Sequence, residues 1–259
     1  MKKVLLLNLM PNKIETENHF KNIFDNLNHK IDITFLRMET YDSKNISKSY
    51  LLKNYEIANN ISFDNFDRFI CTGSPVETMP FEAVSYWKEL INIFKSIEYH
   101  DIKSYYICWG AQAVLYYRYG IKKVSLKNKK FGIYDYKISG INPDNFYFSN
   151  DKITIPVSRY TESIGQQIKD HPSLNVLFDS KEQGICMLEN NLLNEVYNFN
   201  HFEYDTMTLK NEYLRDVKKN IPIQIPENYF PNNDLSRMPK NNWTKNAISF
   251  FNNWFVDKN

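Results

Sequence analysis

Four short apolar runs, alternating with stretches of helical period, constrain this chain more than any other feature. Residues 3–9 are an aliphatic run closed by Met10-Pro11. Residues 31–37 alternate through Ile31, Ile33 and Phe35. Residues 66–71 run into the turn Thr72-Gly73-Ser74-Pro75, and residues 103–108 end at Cys108. Short apolar runs bounded by turn residues read as buried strands. Between them, residues 16–27 place Phe20, Ile23, Phe24 and Leu27 on one helical face, and residues 81–97 do the same with Trp87, Leu90, Ile91 and Phe94. A polar connection with a short helix fills residues 45–55, and residues 111–119 read as a helix. Strands alternating with helices predict an α/β fold with a mostly parallel sheet flanked by helices, and such folds build their sites in loops at the carboxyl ends of strands.

The second half is less regular. Residues 131–139, 151–157, 184–189 and 195–200 read as strands of a hairpin-rich extension of the sheet, and residues 206–219 as a helix. Pro222, Pro226, Pro231 and Pro239 mark an extended surface segment, and a last helix over residues 243–255 is expected to pack back on the core. With no internal repeat and no low-complexity linker, residues 1–259 are expected to form a single domain.

Composition excludes several classes of function. A net charge of +2 gives no reason to expect nucleic-acid binding or a polybasic membrane anchor. The longest apolar run, near residues 4–10, is far short of a span, and Asn8 and Pro11 interrupt it as a signal sequence. The expected location is the cytoplasm. Three cysteines, Cys71, Cys108 and Cys186, match no metal spacing, so a reduced compartment and no metal are expected. Seven glycines, none in a phosphate-cradling loop, argue against nucleotide binding of that kind.

Cys108 ends a strand and is followed at once by Trp109-Gly110-Ala111-Gln112-Ala113. Small residues there permit a sharp strand-to-helix elbow that exposes the side chain at a helix N-terminus. Such a position favours a thiolate, and the backbone N–H of Trp109 is an oxyanion donor candidate. A buried core cysteine is the alternative, and local context leaves both open; Cys71 and Cys186, inside their strands, read as core. Among the histidines, His19 and His29 beside the first helix read as solvated, His100 lies at the wrong end of the nucleophile strand, and His171 lies in a loop. His201 follows an apolar strand, with Glu203 two residues on and on the same side if the chain is extended. That pair suits a base held in one tautomer by a carboxylate, against the alternative of a surface turn histidine. The 72–77 turn offers a second oxyanion donor. Its Glu77 reads as a pocket carboxylate or a helix-start acid, and Lys13 as a rim residue or a solvated lysine.

These segments resemble a known family. Residues 8–17 (Asn-Leu-Met-Pro-Asn-Lys-Ile-Glu-Thr-Glu), Thr72-Gly73-Ser74-Pro75, Cys108-Trp109-Gly110-Ala111-Gln112-Ala113, Ser158-Arg159-Tyr160, His201-Phe202-Glu203-Tyr204-Asp205 and the tail at residues 228–234 are similar to the homoserine O-acyltransferases, which use acetyl-CoA or succinyl-CoA. The resemblance spans almost the whole chain. It implies a class I glutamine-amidotransferase-like (flavodoxin-like) fold and a homodimer. It also implies transfer of an acyl group from acyl-CoA to the hydroxyl of L-homoserine, in methionine biosynthesis, with no bound cofactor. Cys108 would carry the acyl group, His201 act as base and Glu203 orient it. Lys129, Ser158 and Arg215 would bind substrate, Lys13 would lie near the acyl-CoA, and a glutamate at position 77 would select acetyl-CoA. A carboxylate there fills space and repels the distal carboxylate of succinate. The chain departs from the family in having Asn200-His201-Phe202 where Gly-His-Pro is usual. Succinyl-CoA as donor, a cysteine amidotransferase or hydrolase of the same fold, and a non-enzymatic sensor are the rival readings.

Overall fold

The computed structural model describes residues 1–43, 45–139, 147–148 and 150–257. In chain order the elements are β1 (Lys2–Leu7), α1 (Lys13–Phe24), β2 (Ile31–Leu36), α2 (Lys48–Asn54), β3 (Arg68–Cys71), α3 (Trp87–Tyr99), β4 (Lys103–Ile107), α4 (Trp109–Tyr119), β5 (Lys123–Ile138), β6 (Lys152–Ser163), α5 (Gly165–Lys169), β7 (Asn175–Ser180), β8 (Gly184–Asn190), β9 (Glu195–Asn198), α6 (Thr208–Lys218) and α7 (Thr244–Trp254). Nine strands form one sheet in the order β2-β1-β3-β4-β9-β8-β7-β5-β6. From β2 to β9 every pairing is parallel, and from β9 to β6 every pairing is antiparallel. The sheet is therefore mixed, with the expected parallel part confined to its first half in space.

The parallel strands are buried on both faces, which is why they read as unbroken apolar runs. Alternate residues serve opposite faces. Val4, Leu6, Ile70, Tyr105 and Ile107 pack with Phe20 and Phe24 of α1 and with Phe250, Phe251 and Trp254 of α7. Leu5, Leu7, Phe69, Cys71 and Tyr106 pack on the other face with Leu90, Ile93 and Phe94 of α3 and Val114 and Leu115 of α4. The C-terminal helix does return to the core: its Phe250 ring lies 4.8 Å from Tyr105, and its Phe251 lies 5.3 Å from Phe24.

Local differences have local causes. The helix expected over residues 81–97 is a 3-10 turn at Phe81–Ala83, then extended Val84, then α3. The aromatic spacing continues across the break because Phe81 stacks between Trp87 and Tyr116, at 5.5 and 4.6 Å. β5 and β6 form a hairpin much longer than the apolar segments suggested. It begins at Lys123 and ends at Ser163, because pairing resumes beyond an irregularity at residues 126–129, in a lysine-rich stretch that carries no apolar signal. β7 was not anticipated. It pairs with β8 through register shifts, which break the alternation that marks a strand. The proline-marked tail has little regular structure, but Tyr229 and Phe230 within it are buried beside Leu209 of α6 and Trp243.

Candidate active site

β4 ends at Ile107, and α4 starts at Trp109 with no loop between them. Cys108 alone makes the turn, with φ 49° and ψ −118°. A positive φ at a residue with a side chain is strained, and the surroundings hold it in place. Its N–H donates to Asn198 O of β9 at 2.7 Å, and its carbonyl accepts from Gln112 N–H at 3.1 Å. Gly110 lets α4 approach β3: a Cβ there would lie 2.6 Å from Thr72 O. Trp109, first in its helix, has an N–H without an intrahelical acceptor. Gly73 lies over the thiol, since a Cβ on it would sit 3.1 Å from Cys108 Cβ and 3.8 Å from His201 Cε1. Gly73 thus covers both Cys108 and His201 with bare backbone. Thr72 holds it by accepting from Leu9 N–H at 2.8 Å.

β9 lies parallel beside β4, with Asn198 opposite Ile107. The chain leaving β9 therefore brings His201 to the same edge as Cys108. His201 Nδ1 bonds Glu203 Oε1 at 2.6 Å, its backbone N–H donates to Pro156 O at 3.0 Å, and its ring stacks on Tyr204 with centroids 4.1 Å apart. Nε2 is left for proton transfer. Burial opposes a charged imidazole, but the Glu203 carboxylate and the adjacent Cys108 outweigh it and hold the His201 pKa well above its ordinary value. The other cysteines are core residues, as expected. Burial pushes the Cys186 thiol up to about 12 and the Cys71 thiol higher still.

Cys108, His201 and Glu203 open into a cavity of about 510 Å³. Lys129, Ser158, Arg215 and Glu77 also line it. Lys129 reaches it through an irregularity in the hairpin, where residues 126–129 of β5 lie opposite the single residue Tyr160 of β6. Glu212 of α6, which sequence reasoning missed, is the hub of this wall. Its Oε1 accepts from Lys129 Nζ at 2.5 Å and Ser158 Oγ at 2.8 Å, and lies 3.6 Å from Arg215 Nη2. The half-exposed Arg215 also donates from Nε to Asp216 at 2.7 Å. Glu212, Arg215 and Asp216 are one helical turn, a spacing that could have flagged them together. Glu77 accepts from Tyr160 N–H at 2.9 Å and lies 3.4 Å from Thr161 Oγ1; burial raises its carboxyl pKa against those bonds and the nearby Lys129.

Other expectations need correction. Lys13 is buried, with Nζ donating to Asn8 O at 2.6 Å. It braces the Met10-Pro11 corner of the cavity from behind and is not among the residues that line it. Burial, with Arg37 nearby, lowers its pKa to about 8. His19 is not solvated. It is buried, lines the cavity, and places Nε2 3.2 Å from Thr208 Oγ1 and 3.7 Å from Asp205, because α1 packs beside the start of α6. The unusual Asn200 and Phe202 both turn away from the cavity. Asn200 bonds Arg159 Nη1 and, at 3.1 Å, Cys186 Sγ. Phe202 packs with Phe148 and Phe250. Among the described residues no group of His, Cys, Asp and Glu is arranged to hold a metal ion, and no helix is long and apolar enough to cross a membrane.

Solved structures share this fold at low identity. A glutamine amidotransferase from Thermotoga maritima superposes with a TM-score of 0.59 at 17% identity, over 85% of this chain and 86% of that one. One from Methylobacillus flagellatus gives 0.58 at 11%, over 98% and 90%. The fold is that of the class I glutamine amidotransferases. Sequence relatives are nearer. A homoserine O-acetyltransferase from Sinorhizobium fredii is 41% identical over 96% of this chain and 81% of its own length. Those from Lysinibacillus sphaericus and a Geobacillus species are each 40% identical over 97% of this chain, covering 81% and 83% of theirs. The profile of the homoserine O-succinyltransferase family matches residues 1–257, and the chain belongs to that family.

Proposed function

We propose that the chain transfers an acyl group, with acetyl-CoA as the preferred donor, to the hydroxyl of L-homoserine. The observation that carries this reading is the Cys108–His201–Glu203 set at the floor of a cavity whose wall presents Glu212 and Arg215 side by side. A cysteine, base and carboxylate suit any acyl transfer. An anion next to a cation suits an acceptor that is an α-amino acid.

In the first step His201 Nε2 takes the Cys108 proton, and Sγ attacks the thioester carbon of acyl-CoA. The oxyanion faces the Trp109 N–H and the backbone of the 72–74 turn. The intermediate collapses, CoA leaves as its thiol with the proton from His201, and the acyl group remains on Cys108. In the second step Nε2 removes the homoserine hydroxyl proton, the oxygen attacks the Cys108 thioester, and the thiol is restored as the ester departs. Arg215 binds the acceptor carboxylate, and the open Oε2 of Glu212 takes the ammonium. Lys129 and Ser158 hold Glu212 in place. Glu77 limits the acyl pocket to a short, uncharged chain. The single continuous sheet supports one catalytic domain, and three reduced cysteines suit the cytoplasm.

The test is incubation with acetyl-CoA alone and then with acceptor. One acetyl group should appear on Cys108, and CoA should be released with L-homoserine and not with L-serine. Acceptor-independent hydrolysis, or release of ammonia from glutamine in place of acyl transfer, would overturn the reading.

A further inference from the structure

Lys123, the first residue of β5, takes no part in the chemistry above and lies outside the cavity wall. Its ammonium donates to the carbonyls of Glu77 at 2.5 Å and Met79 at 2.7 Å, and lies 4.2 Å from the centre of the Phe81 ring. Those carbonyls belong to the turn that carries Glu77. The carboxylate of Glu77 is held separately, by Tyr160 N–H and Thr161 on β6. Lys123 is itself paired to Ser163 of β6. One hairpin therefore grips the turn twice, by the main chain through Lys123 and by the side chain through β6. Thr161 Oγ1 also bonds Gln112 Oε1 at 3.0 Å, which ties the same point to the first turn after Cys108.

We propose that Lys123 is a positioning residue: by clamping the carbonyls of residues 77 and 79, it fixes how far Glu77 projects into the acyl pocket and so sets the size of acyl group accepted. This rests on the reading of Glu77 as the acyl-pocket residue. A charged donor on two carbonyls is worth more than a neutral one, and losing it frees the turn to recede. The acceptor wall, built on Glu212 and Arg215, should not feel the change.

The experiment compares acetyl-CoA with butyryl-CoA and succinyl-CoA in wild type, Lys123→Met, Lys123→Gln, Lys123→Arg and Glu77→Gly, alone and combined. Lys123→Met should cut the preference for acetyl-CoA about tenfold, mainly through the donor KM, with the L-homoserine KM unchanged. Lys123→Arg, which keeps a charged donor, should restore most of the preference. Adding Lys123→Met to Glu77→Gly should change the donor ratio no further, because the lysine acts through the glutamate. If Lys123→Met does not fold, Lys123→Gln carries the comparison. A wild-type donor ratio in whichever of these variants folds overturns the proposal. If Glu77→Gly itself leaves the ratio unchanged, the role of Glu77 falls and this inference with it. If Glu77→Gly shifts the ratio and the lysine variants do not, the inference about Lys123 alone fails.

Discussion

Cys108 and His201 leave the ends of β4 and β9, two strands that run parallel, whereas Lys129, Ser158 and Tyr160 come from the interior of an antiparallel hairpin. The two halves of the sheet solve different problems. Parallel strands end on one edge, so residues far apart in sequence arrive together on rigid supports, and the strained Cys108 can be held there. The antiparallel hairpin offers a long surface whose bulge aims Lys129 sideways into the cavity, where α6 closes over it. In the proposed function the parallel half carries the reacting groups and Glu77, and the hairpin with α6 carries the acceptor-binding groups.

That division can be broken by mutation. Cys108→Ala should abolish the acyl adduct and lower turnover by a factor of about 10³ or more, read by intact mass and CoA release. A variant that still turns over through a covalent acetyl would move the chemistry elsewhere. Glu203→Gln should lower kcat/KM by about 10²-fold to 10⁴-fold. It should also move the acid limb of the pH profile to lower pH. The carboxylate raises the His201 pKa, so its removal lowers that pKa and the imidazole stays neutral in more acid solution. An unmoved limb would separate Glu203 from the base.

On the recognition side, Glu212→Gln and Arg215→Leu should each raise the KM for L-homoserine about 10- to 100-fold and leave that for acetyl-CoA unchanged. Equal effects on both substrates would erase the contrast between the halves. Gly110→Ala should lower unfolding free energy by about 1–3 kcal/mol in denaturant titration, because its Cβ meets a backbone carbonyl that cannot yield cheaply. A wild-type midpoint would show that the elbow is looser than its geometry. The smallest effect belongs to Asp257, far from the cavity, where Lys2 lies at 2.7 Å and Arg68 at 2.5 Å. These partners lower its carboxyl pKa to about 2. Because the folded pKa is depressed, this contribution is present above the ordinary carboxylate range and is lost as pH falls through about 2. Asp257 is largely exposed, so Asp257→Asn should cost less than about 1 kcal/mol at neutral pH.

The elbow was legible because its signal is local: an apolar strand, a cysteine, then small residues able to start a helix. The pair His201 and Glu203 was legible for the same reason, though their meeting with Cys108 depends on β9 pairing beside β4. The cavity wall proposed to bind the acceptor was legible only in part. Lys129, Ser158 and Arg215 came from family resemblance, and Glu212 carries no local signal, since the three side chains that converge on it come from β5, β6 and α6. His19 failed as a solvated residue because its partner Thr208 is 189 positions away. The irregular β7 and the lysine-rich start of β5 gave no apolar period to read.

By itself the sequence determined the alternation of strands and helices, the sharp strand-to-helix turn at Cys108 and the neighbouring pair His201 and Glu203, since each rests on neighbours along the chain. The tertiary structure alone decided that half of the sheet is antiparallel, that Glu212 gathers Lys129, Ser158 and Arg215, that Lys13 is buried behind the cavity, and that Lys123 grips the turn bearing Glu77. Those outcomes depend on which distant strands and helices pack together. Buried polar groups must find partners wherever the fold places them, and no local pattern encodes who those partners are.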